Sequence, residues 1–370
     1  MKKYFIMAVA VLATLTACQP DEPQTTIVET REISFAPAAT QTRATPVKDY
    51  TIDNLIANGF AVWGYVSPDK DAQTPTWEPL FTKTLVTQQT IDRVEVWQPA
   101  AEGDVKYWSP NSDYIFSAIY PKDAANYTFG SDKTQTITNF AIVNGGLETE
   151  DLLVSRVAEA TLANAEQRVA VGLTFDHMLA RVRFQFTNTF ADENVTIKVT
   201  NVQLHGVVDE ATATLAMGKA TLSDQNQVDR LIATWEDADQ TSTTTINFQD
   251  VEDQNDVDIA IAQNANAATQ YRLFIPQTVA NEKYTLTFGL EVLADGVTVL
   301  RKSYKVDGED EEAAVALKGF DYVNGNSYLF NANISGDLLK EEIFPIQFEV
   351  TVTDWDDDTT VDEDIFNPNN

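Results

Sequence analysis

The residues best equipped for chemistry are few: in 370 residues there is one thiol, Cys18, and there are two imidazoles, His177 and His205. Neither histidine lies in a zinc-ligand spacing such as H-E-x-x-H. His177 sits in "FDHMLARV" at the entrance to a strand, where a packed, hydrogen-bonded histidine is the plain reading. No P-loop, G-x-S-x-G elbow or glycine fingerprint for a dinucleotide occurs. Carboxylates are plentiful, but nothing singles out a pair spaced for glycoside hydrolysis. The acidic run "DWDDDTTVDED" (Asp354 to Asp364) could ligate calcium through oxygens, yet it lacks the turn glycine and terminal glutamate spacing of an EF-hand loop, and a hydrated acidic tail is the plain reading. The six tryptophans, Trp63, Trp77, Trp97, Trp108, Trp235 and Trp355, fit either a sugar-stacking platform or core packing. These residues imply no enzyme, no cofactor and no metal.

The surroundings of Cys18 give it a different role. Lys2 and Lys3 precede an apolar run from Tyr4 to Ala17 that ends in small residues, the pattern of a secretory signal peptide over residues 1–17. The run is short for a bilayer span, which needs about 20 apolar residues. Leu15-Thr16-Ala17-Cys18 resembles the lipobox of bacterial lipoproteins, in which the thiol is acylated, palmitate being the expected chain, and the cut falls just before it. Several acyl chains hold a soluble domain on a lipid surface at about 0.8 kcal/mol per buried methylene. The alternative is an ordinary secreted protein with an incidental cysteine. Gln19-Pro20-Asp21-Glu22 resembles the acidic export tag of surface lipoproteins, or is a solvated tether. The expected address is the cell outer membrane, facing outward.

Composition bounds what the exported part can be. The chain is 44% apolar and 10% aromatic, enough for packed cores without a cysteine pair. About 350 residues follow the leader, which is two domains' worth. The formal charge is −31, and loss of the two leader lysines makes it more negative. Such a field repels phosphates and anionic lipid, so nucleic acid is excluded as a partner and the membrane is met only through the lipid anchor.

Periodicity points to strands. "YTLTFGLEV" (Tyr284 to Val292) alternates strictly, as do "ARVRFQF" and "VTIKV", the mark of half-buried antiparallel strands. "FAVWGYV" (Phe60 to Val66) and "YIFSAIY" (Tyr114 to Tyr120) are apolar on both faces and read as central strands of a sandwich. Clusters of Gly, Asn, Asp and Pro punctuate these runs. Helical periodicity is confined to short pieces such as Asp53 to Ala57. The expected class is all-β, with antiparallel sandwiches. No long linker divides the chain. The polar segment Ala158 to Gln167 is the expected seam, giving an N-terminal domain over 44–165 and a C-terminal domain over 166–370.

The two ends carry features that a plain secreted sandwich does not need. Near the front, Thr30 to Phe35 is strand-like, with Ile33 and Phe35 on one side. Small residues from Ala36 to Thr42 follow, then Arg43-Ala44, an arginine exposed to proteolysis. Residues 18–43 thus read as a tether and a removable strand. Near the back, "FPIQFEVTVTDW" sets Phe344, Ile346, Phe348, Val350 and Val352 on one face ahead of Trp355. Buried fully, that face is worth roughly 7 to 15 kcal/mol. It is either a strand given to another chain or the last strand of its own domain.

The chain resembles the fimbrillin family of the Bacteroidales, lipoprotein precursors of type V pilus subunits, major and minor. The resemblance rests on the lipobox, "EISFAPAATQTRA", "FAVWGYV" with "LFTKTLV", "YWSPNSDYIFSAIYP", "DLLVSRV" with "LTFDHMLARVRFQFTN", "RLFIPQ", "DYVNGNSYLFNANI" and the terminal "VTVTDWDDD". It implies two transthyretin-like sandwiches with Greek-key-type connections and assembly by strand exchange. An Arg-specific surface protease would cut after Arg43, removing Ile33 and Phe35. The exposed groove would then accept a strand from another pilus subunit, with residues 344–355 as candidate donor. The contact is head-to-tail and grows into a filament. The implied roles are stalk, anchor or tip, supporting adhesion to host or bacterial surfaces, with the fimbrium as the processed protein's address. A non-polymerising surface lipoprotein that binds glycan or host is the alternative.

Overall fold

The structure is a computed structural model. It describes residues 32–39, 55, 57–123, 126–146, 149–162, 170–221, 227–236, 242–248, 258–280, 283–305, 312–317, 319–339, 346 and 348–354. It is an all-β molecule.

Strands are numbered along the chain. The first ten are β1 (Phe35–Ala39), β2 (Phe60–Ser67), β3 (Glu78–Ile91), β4 (Val94–Pro99), β5 (Ser112–Tyr120), β6 (Asn126–Phe129), β7 (Gln135–Ala141), β8 (Leu153–Ser155), β9 (Ala158–Leu162) and β10 (Val171–His177). Then come β11 (Ala180–Asn188), β12 (Val195–Val208), β13 (Glu210–Thr221), β14 (Gln227–Glu236), β15 (Thr243–Asn247), β16 (Asp258–Ile261), β17 (Asn266–Ala268) and β18 (Arg272–Phe274). The last are β19 (Thr278–Val279), β20 (Thr285–Ala294), β21 (Val297–Lys305), β22 (Glu312–Ala313), β23 (Val315–Ala316), β24 (Phe320–Asp321), β25 (Asn326–Ile334) and β26 (Phe348–Asp354).

The first sheet runs β2-β3-β4-β1-β10-β8-β5, and β5 pairs back onto β2, so these strands close into a ring with β9 attached to β5. Closure explains why "FAVWGYV" and "YIFSAIY" are apolar on both faces. Inward, Phe60, Val62, Phe116 and Ala118 fill the ring. Outward, Ala61, Trp63, Ile115 and Ile119 belong to a second core. That core is shared with the sheet β14-β13-β7-β6, where the Trp63 and Tyr127 rings meet edge to face at 4.9 Å.

The rest of the chain builds a sandwich. One sheet is β17-β11-β25-β26, with β18 also on β11. The other is β15-β12-β20-β21-β22, with β16 on β12 and β23 on β20. Alternation drives their packing: Val182, Phe184 and Phe186 point inward from β11 and are fully buried. Phe186 meets Phe288 of the facing sheet at 5.3 Å. Beyond the seam expected at 158–167, β10 pairs with β1 and β8 in the ring, and the hairpin β13–β14 pairs with β7.

Candidate functional site

The strand near the front is the ring's closing piece. β1 pairs in parallel with β10 over five positions, from Phe35 opposite Val171 to Ala39 opposite Phe175. On its other side it meets β4 once, antiparallel, with Phe35 opposite Trp97. Glu32 adds an isolated bridge to Tyr107. The extended stretch therefore runs past the expected Thr30 to Phe35 segment, through small residues that carry little strand preference of their own. Pairing with β10 imposes the extended form on them, as tertiary context commonly does.

The two side chains expected to plug a groove do fill the ring. Ile33 is 0% exposed and Phe35 2%. Phe35 stands edge-on to Phe60, Phe81 and Phe116, with ring centroids 6.3, 5.8 and 5.8 Å away. Behind it Phe60 reaches Trp97 at 5.6 Å and Phe175 at 5.5 Å. Two such buried side chains are worth about 3–6 kcal/mol.

Backbone directions explain why β1 holds its two neighbours unequally. The Val171 N–H donates to the Ser34 carbonyl at 2.8 Å, whereas the Ile33 N–H donates to Lys106 O at 2.8 Å on the opposite side. Polar groups of successive strand residues alternate between sides, so position 37 faces β4. Proline there has no N–H to give. The β1–β4 ladder accordingly goes no further than Phe35, and the stretch of β4 from Val94 to Val96 has no partner on that side among the described residues.

At the other end, β26 lies antiparallel on β25, from Ala332 opposite Phe348 to Asn326 opposite Asp354. It is an edge strand. Ile346 is buried, while Phe348, Val350 and Val352 are half-buried against the sandwich core. Phe348 packs on Phe184 at 5.7 Å and on Phe186 at 5.9 Å. In this structure the C-terminal segment thus completes its own sandwich. Cys18, Arg43, Ala44, Phe344 and Trp355 lie outside the described residues.

The histidines serve the framework. His177 Nδ1 lies 2.6 Å from Asp151 Oδ2, both buried, and its carbonyl accepts from Asn324 Nδ2 at 2.7 Å. Next to it Asp176 takes two hydrogen bonds from Arg156, at 2.7 and 2.9 Å, and one from the Leu231 N–H at 2.9 Å. The ring, the β13–β14 hairpin and the sandwich meet at this polar junction. The Arg156 pKa is raised, mainly by its hydrogen bond to Asp176. His205 bridges Thr245 and Thr287 at 3.0 and 2.9 Å, and burial lowers its pKa. Trp63, Trp97 and Trp108 are buried, which leaves them no open face for a sugar.

Several residues that shape the groove escape a reading of the sequence. Pro37 reads as part of a flexible stretch. Phe81, Trp97 and Phe175 show no signal tying them to Phe35, since pairing between distant strands leaves no local mark. The alternation of Val171, Leu173 and Phe175 in "VGLTFDH" marks β10 as a strand but not its partner.

Closed by a segment from the front of the chain, the ring defines an all-β protein whose wall includes β1 as a stave. The fimbrillin-like family model matches residues 42–355, and the chain belongs to that family. Among solved structures, a fimbrial protein from Bacteroides vulgatus is 16% identical, with 88% of this chain and 99% of that one covered and a TM-score of 0.59, a likeness of fold. A candidate cell adhesion protein from Bacteroides uniformis is 16% identical over 90% of this chain and 100% of its own, at a TM-score of 0.39. Another from Bacteroides ovatus is 14% identical over 88% and 96%, at 0.42. No curated protein matches the chain. Among the described residues no helix is long and apolar enough to cross a membrane.

Proposed function

We propose that the chain is a non-enzymatic structural subunit of a type V pilus, as stalk, anchor or tip, and that it supports adhesion. It is exported as a lipoprotein anchored through Cys18 to the outer membrane, and an Arg-specific protease cuts it between Arg43 and Ala44. Residues 18–43 then leave with β1, the ring opens between β4 and β10, and a strand from another subunit fills the gap. Residues 344–355 are the candidate donor.

One observation carries this reading: β1 and the residues just before it come from the front of the chain, and they bury Ile33 and Phe35 in a ring whose flanking strands, β4 and β10, are contributed by later sequence. Removing them leaves two bare edges flanking an apolar slot, and an unpaired edge is a template for another chain. The seat of β26 on its own sandwich favours the rival reading, a non-polymerising surface lipoprotein that binds glycan or host. The two readings separate in one experiment. The full chain with Cys18→Ser is treated with an Arg-specific protease, its new N-terminus is sequenced, and the product is viewed by electron microscopy. Ala44 at the N-terminus together with filaments is the expected result. Retention of β1, or a cut chain that stays monomeric, favours the rival.

A further inference from the structure

Two arginines of β11 share one aromatic ring. Val182, Phe184 and Phe186 face the sandwich core, so Arg181 and Arg183, which alternate with them, lie on the other face of the sheet. Arg181 Cζ stands 4.5 Å and Arg183 Cζ 4.4 Å from the centre of the Tyr271 ring. We propose that this platform is the seat of the acidic run Asp356-Asp357-Asp358, which follows β26 in the sequence, and that the run latches β26 to its own sheet. Residues 355–370 lie outside the described residues, so the argument rests on the platform and on where β26 ends.

Charge is the first argument. Cations are scarce in this chain, 25 against 56 acidic residues, yet two gather here. Arg181 is 2% exposed and donates from Nε to Ser327 Oγ at 3.1 Å, and that hydroxyl donates to the Tyr271 hydroxyl at 3.3 Å. Arg183 is half-buried, and its Nε is buried with no hydrogen-bond partner among the described residues. A guanidinium cannot shed its proton to escape such a site. The ring face attracts both groups but does not neutralise them, so a half-buried pair of this kind calls for carboxylates that can accept from the guanidinium forks.

Topology brings such carboxylates close. Arg181 pairs with Ser327 of β25, and Ser327 with Thr353 of β26, so the three lie in one row on the same face. β26 is two strands from β11, about 10 Å. Its described part ends at Asp354, opposite Asn326. Each further residue reaches at most about 3.6 Å, so three or four residues turned across the face bring Asp356 to Asp358 over the arginines. Trp355 is one alternation beyond Thr353, which assigns it to the face of Arg181, and an indole is the strongest ring for a guanidinium. Glu349, the acid that β26 itself places on this face, is exposed and lies in the row of Asn331 and Gln185, not in that of Arg183. A second hold matters most at β26, because an outermost strand has a single neighbour.

The uncut chain with Cys18→Ser is the protein to test, so the result depends neither on cleavage nor on filament growth. Amide hydrogen exchange is read on β26, with β20 as the internal reference. At low salt D356N/D357N/D358N should speed exchange of the β26 amides about tenfold through the loss of charge-assisted hydrogen bonds, and leave β20 unchanged. Arg183→Gln should do the same, and the combination should add nothing, because both changes remove one contact. D362N/E363Q/D364N, an equal loss of charge further along, should have no effect. High salt should bring the unsubstituted chain toward the variants. Unchanged β26 exchange in D356N/D357N/D358N, equal effects from the two triple variants, or effects that multiply on combination with Arg183→Gln would each overturn the inference. If Arg183→Gln acts and neither triple variant does, the platform serves an acid from outside the chain, and the inference falls as well.

Discussion

β1 and β26 are the first and last strands of the described chain, and they close their halves in opposite ways. β1 stands between two strands of a closed ring, paired over five positions with β10 and at one with β4, while β26 lies outermost on an open sheet. Taking a stave from a ring creates two edges and a slot between them, whereas taking the outer strand from a sheet moves the edge inward by one. The burial figures follow this difference: Ile33 and Phe35 are sealed, and Phe348, Val350 and Val352 are partly open. The front segment is thus a closure and the rear one an edge cover, although both present isoleucine and phenylalanine two residues apart.

Phe35→Ala should have the largest effect, since it empties a sealed site among three aromatic rings. A loss of about 3–5 kcal/mol is expected from the uncut chain, read from chemical denaturation. Phe348→Ala removes a half-buried ring at an edge and should cost about 1–2 kcal/mol. If the second substitution cost as much as the first, the distinction between closure and cover would fail. Pro37→Val sharpens the comparison from the other side. The new N–H facing β4 is worth about 1 kcal/mol, reduced by the chain freedom that proline removes from the unfolded state. Its clearest sign is slower release of the cleaved fragment.

The smallest effect belongs to His205. Burial holds its pKa in the folded chain below the ordinary histidine value. The unfolded chain therefore binds the proton more readily, and stability falls as pH drops through the ordinary histidine range. His205→Gln should flatten that part of the stability profile while leaving the region above it unchanged, as measured by denaturation midpoints across pH.

Much of the fold is legible in the residues. Strict alternation in "ARVRFQF" and "YTLTFGLEV" places β11 and β20 and their buried faces, and the doubly apolar "FAVWGYV" and "YIFSAIY" correctly read as strands with no wet side. Alternation is local, so it survives in sequence. The ring is not legible, because its closure depends on β1 meeting β10 and β5 meeting β2, contacts between segments with many residues between them. The candidate site is half visible for the same reason. Ile33 and Phe35 stand out as an apolar pair ahead of a flexible stretch, but the strand that carries Phe35 onward to Ala39 exists only because β10 pairs with it. Pro37 shapes the slot through a hydrogen bond it cannot make, a role apparent only once its direction toward β4 is known.

Amide hydrogen exchange on the cut chain tests the central claim most directly. When the fragment ending at Arg43 leaves, amides of β4 and β10 should lose protection together while those of β25 keep theirs, and the 344–355 peptide should restore the protection of β4 and β10. Protection of β4 and β10 that is unchanged after the fragment has gone would contradict the account, because the ring would then be closed without its first strand.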